Sequence, residues 1–214
     1  MTTARIIRSI PVGGRHLCGL TFWNGLLWFS DGELELIQAV EPSTGKVEQR
    51  LPCAAVRTGL TVLEGNLLQV VGVGGKNKSL RSIDPESGRI VAEFANPHRG
   101  TELCGIEATS NGIWMGYSDL RTVELTVLTE PAPRTVVPVG RSVAGLTVVR
   151  SRVLFAQYPT GQMHVADPAA GAVIASIELE GNPTGTTWDG ALLWYCDYRT
   201  LQLRAIELPA HVLE

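Results

Sequence analysis

The tetrapeptide Cys18-Gly19-Leu20-Thr21 decides the fold, because a related tetrapeptide returns four more times along the chain. Each copy keeps the central glycine. The copies are Thr58-Gly59-Leu60-Thr61, Cys104-Gly105-Ile106-Glu107, Ala144-Gly145-Leu146-Thr147 and Thr184-Gly185-Thr186-Thr187. Successive glycines are 40, 46, 40 and 40 residues apart. A regular spacing of this length is typical of a repeat protein, in which each repeat folds as one unit.

Each repeat contains the signals of a small antiparallel sheet. In the first repeat, Asn24-Gly25 separates two short apolar runs and is a strong hairpin signal. A turn at Glu41-Pro42-Ser43-Thr44-Gly45 then joins two further runs, because proline presets φ and glycine supplies a positive φ. Four short strands joined by tight turns predict one antiparallel sheet per repeat.

The two ends of the chain complete each other. The fifth repeat stops after its third strand, and the segment 5–12 resembles the fourth strands of the other repeats. We therefore predict a single all-β domain over 1–214: a five-bladed β-propeller with four antiparallel strands per blade and the N-terminal strand closing the last blade. The blades span about 13–52, 53–98, 99–140, 141–180 and 181–208. A β-sandwich is the alternative, but it does not explain five similar repeats.

Composition excludes several classes of function. A net charge of -3 and a pI near 5.8 argue against a nucleic-acid surface, which would be basic. No stretch is apolar for long enough to cross a membrane, and the N-terminus lacks the apolar core of a signal peptide. The four cysteines are then expected to be free thiols in a cytoplasmic protein.

One ring position breaks the symmetry of the repeats. Two residues after each glycine stand four threonines and one glutamate, Glu107. Strand alternation places this position toward the central channel, where burial would raise the pKa of a carboxyl group. Glu107 is therefore a candidate general acid or base. The alternative is a glutamate that only bonds the neighbouring threonine hydroxyls around a channel water.

One face of the propeller is expected to collect polar side chains at the channel mouth. They come from the loops that lead into the first strand of each blade and from the ends of the second strands. The candidates are Arg57 as a catalytic residue and His16, Glu102, Tyr117, Tyr158, Asp31 and Asp197 as substrate-binding residues. Convergent polar groups at such a mouth are typical of a small-molecule site. For the two aspartates the alternative is that each only begins its own turn.

Other motifs favour structural roles. Trp28, Trp114 and Trp194 occupy one repeat position and are expected to pack in the core. By alternation, Cys18 and Cys104 share the core side with the leucine position, and their spacing matches no zinc motif. The glycine-rich loop 72–78 lacks the Gly-Lys-Ser/Thr ending of a phosphate-binding loop. No metal site and no cofactor are predicted, and a bound divalent metal is kept as the alternative.

The repeat motif covers nearly the whole chain. It runs from Gly-Leu through Asn/Asp-Gly to turns such as Asp84-Pro85-Glu86-Ser87-Gly88. It resembles the small propellers of the glutamine cyclotransferase family and, more loosely, virginiamycin B lyase and gluconolactonase-type propellers. The first resemblance implies an enzyme that converts an N-terminal glutamine into pyroglutamate.

Two hypotheses for function follow from the sequence. In the first, Glu107 transfers a proton and Arg57 binds a carboxylate or stabilises an oxyanion of a small polar molecule or peptide end. Cyclisation or elimination suits such a site, because positioning and proton transfer could suffice without a cofactor. In the second, the same face binds a ligand or a protein without catalysis. The oligomeric state stays open.

Overall fold

The chain folds into five small antiparallel sheets arranged in a ring, an all-β five-bladed propeller, as the repeats predict. The computed structural model describes residues 2–213, with Thr2, His211 and Leu213 described by their backbone only. No helix in this described part is long and apolar enough to cross a membrane.

The strands follow the repeats, with a short segment before the first blade. That segment holds β1 (Thr2–Thr3) and β2 (Ile6–Pro11). Blade 1 contains β3 (Leu17–Trp23), β4 (Leu26–Asp31), β5 (Leu36–Val40) and β6 (Val47–Pro52). Blade 2 contains β7 (Val56–Leu63), β8 (Asn66–Gly72), β9 (Lys78–Ile83) and β10 (Ile90–Ala95). Blade 3 contains β11 (Leu103–Thr109), β12 (Gly112–Tyr117), β13 (Thr122–Thr126) and β14 (Thr135–Pro138).

The last two blades hold the remaining elements. Blade 4 contains β15 (Leu146–Val149), β16 (Arg152–Gln157), a 3-10 turn (Tyr158–Thr160), β17 (Gln162–Asp167) and β18 (Ala172–Glu178). Blade 5 contains β19 (Pro183–Trp188), β20 (Leu193–Asp197) and β21 (Gln202–Ile206), and a short helix α1 (Ala210–Leu213) follows. In each blade the first strand is innermost and neighbouring strands are antiparallel.

The N-terminal strand closes the ring, as predicted. Strand β2 pairs antiparallel with β21, with Ile10 opposite Leu203, and so becomes the fourth strand of blade 5. Closure covers an edge that would otherwise expose unpaired backbone groups. Strand β1 adds a short parallel partner to β18 in blade 4, where Thr3 lies opposite Glu178.

The core lies between the blades. Five clusters of buried apolar side chains each join two successive blades, and the fifth joins blade 5 to blade 1. Trp28, Trp114 and Trp194 each belong to such a cluster, which confirms the packing role expected for them. Neighbouring blades are thus held together by apolar burial, the main favourable term in folding.

The repeated glycine is required by close backbone approach between blades. A Cβ on Gly19 would lie 2.6 Å from the backbone nitrogen of Leu60 in blade 2. A Cβ on Gly185 would lie 2.6 Å from the nitrogen of Leu20, so the seam runs from blade 5 back to blade 1. Only a residue without a side chain allows the innermost strands to pack this closely.

The innermost strands contain a β-bulge just before the glycine. In blade 1, Leu17 lies opposite Asp31 but Leu20 lies opposite Phe29, so one strand has an extra residue. The same irregularity occurs in blades 3 and 5, and in blade 2 the inner strand has two extra residues between Val56 and Leu60. A bulge interrupts the alternation of side chains and can turn a residue toward a different face. The residue before the glycine is affected directly.

Candidate functional site at the channel mouth

A cavity of about 380 Å³ opens at the face where the innermost strands begin. Its floor is formed by the small residues that precede the repeated glycines. They are Cys18, Thr58, Cys104, Ala144 and Thr184. The volume lies within the range of small-molecule sites in proteins. The mouth of the channel is therefore a ligand-sized pocket.

The floor adds to one expectation from strand alternation. Cys18 and Cys104 were expected on the core side. Cys18 does pack in the buried cluster between blades 1 and 2, but beside the bulge both cysteines also line the cavity. Both are still nearly buried, at 6% and 9% exposure. Burial raises the pKa of Cys18 to about 12 and that of Cys104 to about 11. They are therefore neutral thiols at physiological pH.

Three of the predicted residues meet at this cavity. His16, Arg57 and Tyr158 all line it. Arg57 Nε donates a hydrogen bond of 2.7 Å to the carbonyl oxygen of Gly72, which fixes the position of the guanidinium group. These three side chains come from blades 1, 2 and 4, so the ring closure of the fold brings them together.

One side of the cavity is aromatic. The rings of His16 and Tyr198 lie edge to face at 5.0 Å, and those of Tyr198 and Tyr158 at 5.5 Å. Edge-to-face contacts of this kind stabilise the rings in fixed positions. A planar or apolar part of a ligand would find its contacts here, opposite the floor of blades 2 and 3.

Tyr117 lies outside the cavity. Its side chain is fully buried between blades 2 and 3, and its hydroxyl donates to Asn96 Oδ1 at 3.2 Å. The following residue, Ser118, lines the cavity instead. The reason is the two-residue period of a strand, in which a shift by one residue moves a side chain to the opposite face.

The same shift separates Asp197 from Tyr198. Asp197 is fully buried and accepts hydrogen bonds from the backbone of Asn182 at 2.9 Å and of Arg199 at 3.1 Å. It also forms an ion pair of 3.2 Å with Arg204. Asp197 thus anchors its own turn, and Tyr198, which the sequence analysis missed, lines the cavity. Comparison of the repeats one position further along would have found it.

Asp31 supports the cavity without lining it. Its carboxylate is fully buried and accepts hydrogen bonds from the backbone of Arg15 at 2.6 Å and of His16 at 3.2 Å. It also accepts hydrogen bonds from the backbone N–H groups of Glu33 and Leu34. Burial acts to raise the pKa of Asp31, but these donors hold it below its usual value. Asp31 therefore fixes the loop that presents His16.

Glu102 is not among the residues that line the cavity. Its backbone N–H donates to Asp119 Oδ1 at 2.9 Å, and its carbonyl oxygen accepts from the backbone of Ser118 at 3.0 Å. The backbone of Glu102 thus ties two loops of blade 3 together beside the mouth.

Glu107 lies along the innermost strand β11 and does not line the cavity. Thr61 donates a hydrogen bond to its Oε1 at 3.4 Å, and its Oε2 is enclosed without a hydrogen-bond partner among the described residues. Burial raises the pKa of Glu107 to about 8, against the opposing effect of the Thr147 and Thr61 hydroxyls. A neutral carboxyl group is thus expected at pH 7.

The electrostatic character of the cavity is one-sided. Among the described residues, those that line it include His16 and Arg57 but no aspartate or glutamate. Hydroxyl groups of Ser118 and Ser142 add further polar atoms. Within the same described part of the chain, no group of three or more His, Cys, Asp or Glu side chains could hold a metal ion. The cavity therefore favours a ligand with hydrogen-bond acceptors.

The fold and this cavity define the class: a five-bladed propeller with a ligand-sized pocket at one channel mouth. No family model and no curated protein matches the chain in sequence. The fold, however, is shared with solved structures.

Three such structures cover most of the chain. Glutaminyl cyclase of Myxococcus xanthus has a TM-score of 0.77 at 15% identity over 96% of each chain. The PQQ-bound aldose sugar dehydrogenase of Streptomyces coelicolor has a TM-score of 0.62 at 16% identity, over 97% of this chain and 82% of its own. Virginiamycin B lyase of Staphylococcus aureus, in a catalytically inactive variant with quinupristin, has a TM-score of 0.52 at 15% identity, over 94% and 69%. At these identities the likeness concerns the fold, and for the fold the resemblance to cyclotransferase-type and lyase-type propellers is confirmed.

Proposed function

We propose that the protein is an enzyme that acts on a small polar molecule at the channel mouth, by a cyclisation or elimination that needs no cofactor. The observation that carries the proposal is the convergence of His16 and Arg57 on one 380 Å³ cavity. A pocket with a few convergent polar groups is the usual form of a small-molecule site.

The roles follow from the chemistry of the side chains. Histidine can accept and donate a proton near neutral pH, so His16 is the candidate acid–base group of the cavity. Arg57 would hold a carboxylate or stabilise negative charge that develops in the transition state. Its guanidinium group is already oriented by Gly72, so little ordering is needed on binding. Glu107, the residue first expected to transfer the proton, lies outside the cavity wall.

The comparisons support an enzymatic role by analogy. Two of the similar folds are a glutaminyl cyclase and a lyase. The lyase variant that was crystallised is catalytically inactive and carries alanine in place of a histidine. Both proteins are only 15% identical to this chain, so their activities do not establish its function. They indicate which substrates to test first.

A second candidate function is ligand binding without catalysis. It is favoured by the position of Glu107, whose Oε1 is bonded to Thr61 and which does not line the cavity. Under this hypothesis the carboxyl group of Glu107 only packs among the innermost strands. The same cavity and the same Arg57 would then hold a ligand that is not transformed.

The two candidates are separated by an assay for turnover. The wild type would be incubated with dipeptides that begin with glutamine and with quinupristin, and the products followed by mass spectrometry. Replacing His16 by Gln or Arg57 by Gln should lower the rate of any conversion by about 10²-fold or more. His98→Gln is the control, because His98 is a half-exposed histidine of a different loop that does not line the cavity. Saturable binding of these probes without conversion, lost in Arg57→Gln, would favour the second candidate.

A further inference from the structure

A buried lysine lies behind the floor of the cavity. Lys78 is the first residue of strand β9 and is only 9% exposed. Its Nζ donates to the carbonyl oxygen of Leu103 at 2.7 Å and lies 3.9 Å from Cys104 Sγ. Among the described residues, no carboxylate lies within ion-pair distance of this ammonium group.

A buried charge of this kind is unusual. Lysine is almost never fully buried unless it is paired, because removing an ammonium group from water is costly. A carbonyl oxygen and a thiol satisfy part of its hydrogen bonding but supply no opposite charge. The protein alone thus leaves the Lys78 charge without a direct counter-ion.

Two acidic residues lie in this region, and one of them is engaged elsewhere. The charges of Glu102 and Asp119 act on Cys104, so both lie in its neighbourhood. Asp119, however, forms an ion pair of 3.6 Å with Lys76 and accepts the backbone N–H of Glu102. Within the described part of the chain, neither carboxylate forms an ion pair with Lys78.

The ammonium group is one layer of atoms from the cavity. Cys104, which it contacts, lines the floor. Thr58, also on the floor, donates to the same Leu103 carbonyl oxygen as Lys78, at 3.1 Å. The charges of Arg57 and Lys78 both act to lower the pKa of Cys18, so both cations lie near this floor residue.

We propose that the Thr58–Cys104 side of the floor is an anion subsite, where Lys78 and Arg57 together balance a carboxylate or phosphate group of the ligand. The proposal rests on the channel mouth being the ligand site, but not on turnover there. The anion would contact Arg57 and the floor directly, and Lys78 would act across the thin wall as a specificity-determining charge. In a site shielded from water, the ammonium charge of Lys78 would attract an anion on the far side of Cys104 strongly, because the effective dielectric constant there is low.

The aromatic side of the cavity indicates the chemistry of the non-anionic part of the ligand. Tyr158 and Tyr198 line the cavity from blades 4 and 5, away from Lys78 on blade 2. A ligand with an anionic group at one end and a flat or apolar body at the other would contact both sides. Small carboxylates with a ring are therefore the most suitable probes.

Binding of matched charged and neutral probes tests the proposal. The thermal midpoint and calorimetric affinity of the wild type would be measured with benzoate and pyroglutamate, and with benzamide and pyroglutamide as their uncharged counterparts. We expect at least one of the two anions to raise the midpoint, and its uncharged counterpart to have no effect. Lys78→Met should weaken the binding of that anion by about 10-fold or more. Lys76→Met is the matched control, because Lys76 is exposed and two residues away.

The stability of the variants themselves supplies an independent readout. Because Lys78 lacks a counter-ion in the free protein, Lys78→Met should unfold at the same temperature as the wild type or higher. If Lys78→Met does not fold, Lys78→Gln, which keeps a hydrogen-bond donor but no charge, provides the same test. The proposal is overturned if neither anion binds better than its uncharged counterpart, or if the Lys78 variant that folds binds the anion like the wild type.

The outcome is separable from that of the proposed function. Anion binding that depends on Lys78 would support the subsite even if no probe is converted by the wild type, a result that would contradict only the enzymatic role. Conversion of an uncharged probe with no anion preference would support the enzyme and overturn the anion subsite.

Discussion

The Thr61 hydroxyl donates a hydrogen bond to Glu107 Oε1 at 3.4 Å, across the boundary between blades 2 and 3. The same hydroxyl accepts the backbone N–H of Ala108 at 3.0 Å. The threonine thus joins two innermost strands, and the other carboxyl oxygen of Glu107, Oε2, is enclosed without a hydrogen-bond partner among the described residues. Such surroundings favour the neutral carboxyl group, which is why burial raises the pKa of Glu107 to about 8.

The first prediction concerns the pH dependence of stability. Glu107 holds its proton in the folded state up to about pH 8 but releases it near 4.5 when unfolded. Between these values the folded state binds more protons, so the free energy of unfolding should fall by up to about 1.4 kcal/mol per pH unit as pH rises. Glu107→Gln removes this dependence. Urea unfolding of both proteins from pH 5 to pH 8 would measure it.

The difference between the two proteins is the decisive quantity, because other groups titrate equally in both. Relative to the wild type, Glu107→Gln should gain stability steadily from pH 5 to pH 8. A stability difference that is constant over this range would show that Glu107 is ionised in the folded protein.

The second prediction concerns the glycine seam. A Cβ on Gly145 would collide with the carbonyl oxygen of Thr184 and lie 2.8 Å from the nitrogen of Thr186. Because these are backbone atoms of the next blade, they cannot move aside as a flexible side chain does. Gly145→Ala should therefore lower the free energy of unfolding by about 3 kcal/mol or more.

Gly13→Ala is the control for the seam. Nothing lies within 4 Å of a Cβ on Gly13, and its φ is not in the left-handed region. We expect its stability in urea to stay close to that of the wild type. Equal losses in the two variants would mean that the cost comes from the glycine backbone in general and not from contact between blades.

The sequence predicts the fold far better than the site, and the reason is physical. The five glycines mark a seam that every blade must share, so one position seen five times carries the architecture. The ring closure also follows, because a fifth repeat without a fourth strand leaves an open edge. Both features are properties of the repeat, which is visible in the chain itself.

The site depends on which side of a strand each residue faces, and there the repeats are less informative. Cys18 lines the cavity beside the bulge that precedes Gly19. The position of this bulge could not be predicted, because no particular residue type marks it in the sequence. The candidates Tyr117 and Asp197 end strands β12 and β20, one residue short of the cavity-lining position. Lys78 was missed because its partners, Leu103 and Cys104, come from the next blade.

The third prediction concerns a buried histidine outside the cavity. His164 is fully buried in blade 4, where it bonds Ser176 Oγ at 2.7 Å and Gln157 Oε1 at 3.0 Å. Burial, assisted by the charge of Arg141, lowers its pKa to about 4. The unfolded chain therefore binds the extra proton between about pH 4 and 6.5, and stability should rise with pH across this range.

His164→Gln should reduce that rise by up to about 1.4 kcal/mol per pH unit, as measured by urea unfolding at pH 4.5, 5.5 and 6.5. Arg141→Gln removes only the smaller of the two causes of the low pKa of His164, so this variant should keep most of the rise in stability with pH. If the acid sensitivity of His164→Gln equals that of the wild type, the histidine is protonated in the folded state and this assignment fails.

The last prediction links stability to the cavity. Asp31 accepts four backbone N–H groups, of which that of His16 belongs to a cavity-lining residue. Asn supplies one acceptor oxygen without a charge, so Asp31→Asn should lower the free energy of unfolding by about 2 kcal/mol at pH 7. The folded pKa of Asp31 is depressed, so its contribution is present above the ordinary value of 3.8 and is lost as pH falls below it. The stability difference between variant and wild type should therefore shrink on acidification.

The same substitution should disturb the position of His16, because two of the four bonds hold its loop. Any ligand that stabilises the wild type should therefore bind Asp31→Asn more weakly. Asp84→Asn is the control, since Asp84 bonds Glu86 and Ser87 in an exposed turn remote from the cavity lining. A variant Asp31→Asn that binds like the wild type despite its lower stability would show that the His16 loop keeps its position without this carboxylate, and that Asp31 serves the fold alone.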